Sequence, residues 1–109
     1  MLDKDYKIIK ELQKMLNSRK KELPENSYVS LLFQKGNSVI NSKIIEEASE
    51  YIEAVNSDKK SDIIHEAADL WFHNLVSLTL NDIQVSDILE ELNRRFGVSG
   101  LEEKKSRDK

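Results

Sequence analysis

Apolar residues recur along this chain at intervals of three and four, the repeat of one buried helix face, and no run alternates as a half-buried strand would. The pattern predicts a first helix from about Asp5 to Arg19, with Ile8, Ile9, Leu12, Met15 and Leu16 on one stripe. A polar link, RKKELPENS, follows; Pro24 biases Leu23 away from helix, and Asn26 or Ser27 can cap what comes next. YVSLLFQK then reads as a short helix of about two turns, stopped by Gly36. A third helix is predicted from about Ser38 to Asn56, striped by Ile44, Ala48, Tyr51, Ile52 and Val55. The fourth, from about Lys59 to Leu80, is apolar nearly all round, which predicts a central, buried helix. The last starts after Ser86, with Asp87 in its first turn, carries Ile88, Leu89, Leu92 and Phe96 as its stripe, and ends at Gly97. The expected fold is all-α, an antiparallel bundle of about five helices over residues 1–97, followed by a mobile polar tail over residues 98–109.

The polar exceptions within this pattern carry the chemistry. Glu46-Glu47-x-x-Glu50 lies in the third helix and Glu66-x-x-Asp69 in the fourth. Residues three or four apart share a helix face, so Glu47 and Glu50 point one way, as do Glu66 and Asp69. The tight connection expected between Ser57 and Ser61 makes the two helices antiparallel neighbours and brings the acids to one place. Glu47 lies nearest the apolar stripe, whereas Glu53 faces solvent. Carboxylates packed together repel, and a hard divalent cation removes the conflict. Oxygen-only ligands suit Mg²⁺, with Mn²⁺ as a substitute, better than zinc. His73 shares the face of Glu66 and Asp69 and is expected to orient a carboxylate or touch substrate; His65 is expected at the surface. Arg19, Lys20, Lys21 and Lys35 flank the polar link, and spacing alone favours ordinary surface charge over a wall for phosphates.

Composition narrows the classes. A chain of 109 residues is one domain, and a net charge of −3 with no basic block argues against nucleic-acid binding. Cysteine is absent, which excludes disulfides and thiolate metal sites. No apolar run approaches the roughly 20 residues needed to span a bilayer, and MLDKDYKIIK lacks the apolar core of a signal peptide. A cytoplasmic protein is expected.

Four pieces in order, RKKELPENSYVSLLFQKG, K-x-x-EEASE, EAADLWFH and SDILEELNRR, make the chain resemble the phosphoribosyl-ATP pyrophosphohydrolase family, over roughly Ile8 to Phe96. The acidic pattern alone marks the wider superfamily of all-α nucleoside triphosphate pyrophosphohydrolases. The resemblance implies Mg²⁺-dependent hydrolysis of 1-(5-phosphoribosyl)-ATP to 1-(5-phosphoribosyl)-AMP and pyrophosphate, the second step of histidine biosynthesis, by a homodimer. It implies metal ligation by Glu47, Glu50, Glu66 and Asp69, with Glu46 holding a second ion or orienting the attacking water. Lys20, Lys21, Ser27, Tyr28, Lys35 and Lys43 stand at matching positions as candidate substrate contacts. Two positions depart from the family pattern: Ile45 stands where a glycine is common before the double Glu, and Phe72 where tyrosine is frequent. No fused cyclohydrolase domain is expected, so another protein would take the next step. The rival readings are a house-cleaning pyrophosphatase for other triphosphates, distinguished at the ELPENSY segment, and a non-catalytic helical dimerisation module. A di-iron bundle lacks its Glu-x-x-His pair.

Overall fold

A computed structural model describes residues 3–96, and these form five helices: α1 (Asp3–Glu22), α2 (Tyr28–Lys35), α3 (Asn37–Ser57), α4 (Lys60–Leu80) and α5 (Val85–Phe96). Among the described residues there is no strand. The expected tail over residues 98–109 and the stop at Gly97 lie outside the described residues.

The centre of the architecture is the α3–α4 hairpin. Ser57 ends α3, Asp58 adopts the left-handed conformation at φ 63°, and its N–H bonds back to the Val55 carbonyl. A two-residue link therefore turns the chain straight back. At the far end the Asn81 side-chain amide donates to Asn37 Oδ1 at 3.0 Å, so the start of α3 lies beside the end of α4. The same antiparallel register sets Glu50 level with Glu66.

The buried core, Leu16, Val29, Leu32, Phe33, Ile40 and Val76, draws on α1, α2 and the far ends of the hairpin. Leu12, Met15, Val39, Ile44, Phe72, Leu75 and Leu80 close around it. Ser27 caps α2, its Oγ accepting from Ser30 N at 3.2 Å. Gly36 ends α2 at φ 85°, ψ −170°, a conformation that a side chain resists, and opens α3 in the same residue.

Three expectations are corrected. α1 runs on to Glu22, with Leu23 N still bonded to the Arg19 carbonyl at 2.9 Å, because nothing breaks the helix before Pro24. α5 begins at Val85 rather than after Ser86; the Asp87 carboxylate accepts from Gln84 N at 3.0 Å, so Asp87 reaches back to the residue before the helix. The fourth helix is not enclosed: Trp71 is 70 % and Ile64 69 % exposed, and only His73, Val76 and Thr79 are buried. In this chain α4 packs mainly on α3 and less on α1 and α2, which leaves Ile64 and Trp71 facing outward.

Candidate functional site

The acids meet on one side of the α3–α4 hairpin. One oxygen each from Glu47, Glu50 and Glu66 falls within a 4.8 Å cluster. A second set, His65, Glu66 and Asp69, meets the same limit, so Glu66 belongs to both. The i, i+3 spacing on each helix and the two-residue link between them produce this convergence.

The electrostatics are those of carboxylates held close together and partly out of water. Glu47 is only 6 % exposed, and its Oε2 is buried without a hydrogen-bond partner; Glu66 Oε2 is likewise buried and unpartnered. Burial pushes the Glu47 carboxyl above its ordinary range, contact with Glu50 and the charge of Asp69 push the same way, and His73 opposes them. Glu66 is raised first by desolvation and then by the charge of Glu50, against the pull of His65. Leaving a carboxylate oxygen buried and unpaired is costly. Three converging oxygens, two of their carboxylates with a buried unpartnered atom, fit a hard divalent cation.

One cation of the chain itself already faces the acids. Lys43 Nζ stands 3.3 Å from Glu46 and 3.8 Å from Glu47, at one helical turn's spacing. Glu46 is exposed and paired with Lys43. His65, expected at the surface, is 72 % exposed in its side chain yet lies 3.4 Å from Asp69, a pairing that its i, i+4 spacing allowed and the reading of single faces missed.

Tyr28 arrives from the start of α2, its hydroxyl 2.8 Å from His73 Nε2, while His73 Nδ1 lies 2.8 Å from the Asp69 backbone carbonyl. This pair ties α2 to the acid-bearing helix. Spacing gave no signal for it, since 45 residues separate the partners.

The other candidate contacts divide. Ser27 serves as the α2 cap. Lys20 is engaged at the far end of α4: its Nζ donates to the carbonyls of Thr79 and Leu80 at 3.1 and 3.3 Å and pairs with Asp82. Ten residues of helix, roughly 15 Å, separate Thr79 from Asp69, so Lys20 is not brought to the acids of its own chain. Lys21 and Lys35 are exposed and make no contact with the acids. Ile45 is 72 % exposed and turned away from the site, and Phe72 packs its ring edge-on against His73, centroids 5.5 Å apart.

An all-α fold with carboxylates of two neighbouring helices converging beside a lysine defines the class: an all-helical protein with an acidic site on a helical hairpin. The family model described as phosphoribosyl-ATP pyrophosphohydrolase matches residues 9–96. A protein of Ruthia magnifica named phosphoribosyl-ATP pyrophosphatase is 46 % identical over 101 residues, 93 % of this chain and 96 % of its own length. Proteins of the same name from Chromobacterium violaceum and Aromatoleum aromaticum are 42 % and 45 % identical, covering 92 % and 94 % of this chain and 93 % and 95 % of their own lengths. The chain belongs to the phosphoribosyl-ATP pyrophosphohydrolase family.

Proposed function

We propose that this chain hydrolyses 1-(5-phosphoribosyl)-ATP between its α and β phosphates, releasing 1-(5-phosphoribosyl)-AMP and pyrophosphate, the second step of histidine biosynthesis. The observation that carries the reading is the cluster of Glu47, Glu50 and Glu66 within 4.8 Å, with buried oxygens left unpartnered, in a chain of this family. Glu47, Glu50, Glu66 and Asp69 are the residues that would hold Mg²⁺, or Mn²⁺ in its place. Bound there, the ion would polarise the phosphate oxygens and offset the negative charge that grows in the transition state.

The chain's own groups supply the rest. Lys43, flexible and one turn before Glu47, brings a positive charge to the polyphosphate once the acids are otherwise neutralised. Glu46, exposed at the rim and paired with Lys43, is released to orient the attacking water and take its proton when Lys43 turns to the polyphosphate. The water oxygen bonds to the α phosphorus, the bond to the α–β bridging oxygen breaks, and pyrophosphate departs with that oxygen. No covalent intermediate with the chain is needed.

The proposal includes a homodimer in the cytoplasm. Among the described residues no helix is long and apolar enough to cross a membrane. The large apolar side chains left exposed on the hairpin support a second copy as their cover. Ile45 and Ile52 on α3 repeat at seven residues, as do Ile64 and Trp71 on α4, and the hairpin register sets them level in pairs. An apolar groove of about 240 Å³ continues this surface between Trp71, Ile9, Leu78, Ile88 and Leu92.

The test of the activity is pyrophosphate release from phosphoribosyl-ATP, ATP and dUTP in parallel. Release from phosphoribosyl-ATP alone supports the proposal, and release from dUTP instead would move the protein to the house-cleaning branch.

A further inference from the structure

The cation centre proposed above draws on carboxylate oxygens alone, yet an imidazole stands at its edge. His65 Nε2 lies 3.4 Å from Asp69 Oδ2, and one ligand atom each from His65, Glu66 and Asp69 falls within 4.8 Å. His65 and Asp69 sit one turn apart on α4, so their side chains lean over the same stretch of helix, and Glu66 adds a third atom beside them. Glu66 also belongs to the set of Glu47 and Glu50. The imidazole is thereby joined to a cluster in which Glu47, 6 % exposed, and Glu66 each keep a buried oxygen without a partner.

The His65–Asp69 separation is informative. A good N–H···O bond brings nitrogen and oxygen to roughly 2.9 Å. Two atoms that share one ion, at bond lengths of about 2.1 Å and angles of about 90–110°, stand roughly 3.0–3.5 Å apart. The pair falls in the second range, and with the His65 side chain 72 % exposed an ion can reach it from solvent with its remaining waters. Mg²⁺ keeps to oxygen ligands and gives up water reluctantly, whereas an imidazole nitrogen favours the first-row transition ions. We infer that His65 is a nitrogen ligand of the cation centre: with Glu66 and Asp69 it forms a position at the outer edge of the acid cluster that selects a divalent transition ion over Mg²⁺. This rests on the cation-site reading of the acids and adds to it a metal preference that four carboxylates do not supply.

Manganese is the probe, because its electron spin reports the nuclei bonded to it. Mn²⁺ is added to the metal-free full chain, free Mn²⁺ is counted from its electron paramagnetic resonance signal, and the bound ion is read by electron spin-echo envelope modulation. The unsubstituted chain is expected to bind Mn²⁺ with the ¹⁴N modulation of a coordinated imidazole. His65→Gln is expected to lose that modulation while still binding Mn²⁺ through its acids, and to need roughly three- to tenfold less Mg²⁺ to displace half of the bound Mn²⁺. The position is exposed, so the core is untouched, and circular dichroism verifies the helices. Bound Mn²⁺ without ¹⁴N modulation, modulation that survives in His65→Gln, or an unchanged Mg²⁺ requirement would overturn the inference and leave the cation site standing. No Mn²⁺ bound by the unsubstituted chain would overturn both.

Discussion

Glu47 is the residue where stability and chemistry pull apart. Its carboxyl is buried with an unpartnered oxygen, and burial raises it above the ordinary 4.5 of a glutamate. A folded chain with a raised carboxyl binds more protons than the unfolded one, so stability falls as pH rises. In metal-free protein we expect the thermal midpoint to decline from about pH 4.5 upward through the raised range, and Mg²⁺ to restore it. Glu91 acts with the opposite sign. Arg94 and Arg95 hold it down to about 2, so its small, salt-screened contribution is complete above 4.5 and disappears as pH falls towards 2. Glu47→Gln is expected to raise the metal-free midpoint, flatten its pH dependence and reduce turnover on the order of 10²–10³-fold. Asp69→Asn, at a half-exposed position, is expected to lose turnover to a similar degree with little change in the metal-free midpoint. Either variant at full turnover would remove the metal-site proposal. The convergence of Glu47, Glu50 and Glu66 was legible in the sequence because local i, i+3 spacing and one tight turn suffice to produce it. The Tyr28–His73 bond was not, because it depends on how α2 lies across α4, and nothing in either segment's own pattern records that.

At the scale of the elements, the helices and their order followed from apolar periodicity, while their ends answered to particular groups. α1 outran its apolar stripe because charged residues continue a helix as readily as they surround one, and Lys20 then found carbonyls of α4 to bond. Charge runs in a sequence carry no address, which is why the same lysine, an ordinary surface charge by spacing alone, stood as a candidate substrate contact through the family resemblance. We expect Lys20→Ala to cost about 0.5–1.5 kcal/mol of stability through the lost hydrogen bonds at the α4 terminus, and to leave kcat/KM per folded molecule unchanged. A large rise in KM for the nucleotide would return Lys20 to the site. Gly36 is a sharper case. A Cβ there would meet nothing within 4 Å, yet φ 85° with ψ −170° is glycine territory, so Gly36→Ala is expected to destabilise by about 1–3 kcal/mol through backbone strain alone. Denaturant unfolding checks both, and an unchanged midpoint in Gly36→Ala would mean that the α2–α3 junction relaxes freely.

For the whole molecule, the apolar surface of α4 is the main departure from what periodicity promised. An all-round apolar helix was expected to be buried, and in one copy of the chain Trp71 and Ile64 stand largely in the open. Sequence pattern specifies that a face seeks cover, without specifying whether the cover comes from the same chain. Under the homodimer proposal a second copy would supply it, because a hairpin with level apolar pairs can meet its own twofold mate. We expect sedimentation to give a species of twice the 12.6 kDa chain mass, and Trp71→Glu to shift it towards the monomer at micromolar concentration. A monomer in the unsubstituted chain at high concentration would contradict the reading of this surface.

The central claim, that the acid cluster of the α3–α4 hairpin hydrolyses phosphoribosyl-ATP with a divalent cation, is tested most directly by pyrophosphate release from that nucleotide with and without Mg²⁺, in the unsubstituted chain and in Glu47→Gln. The account expects fast release by the unsubstituted chain that needs Mg²⁺ and is lost in the variant. Release that ignores both Mg²⁺ and the substitution, or no release from phosphoribosyl-ATP under any condition, would contradict it.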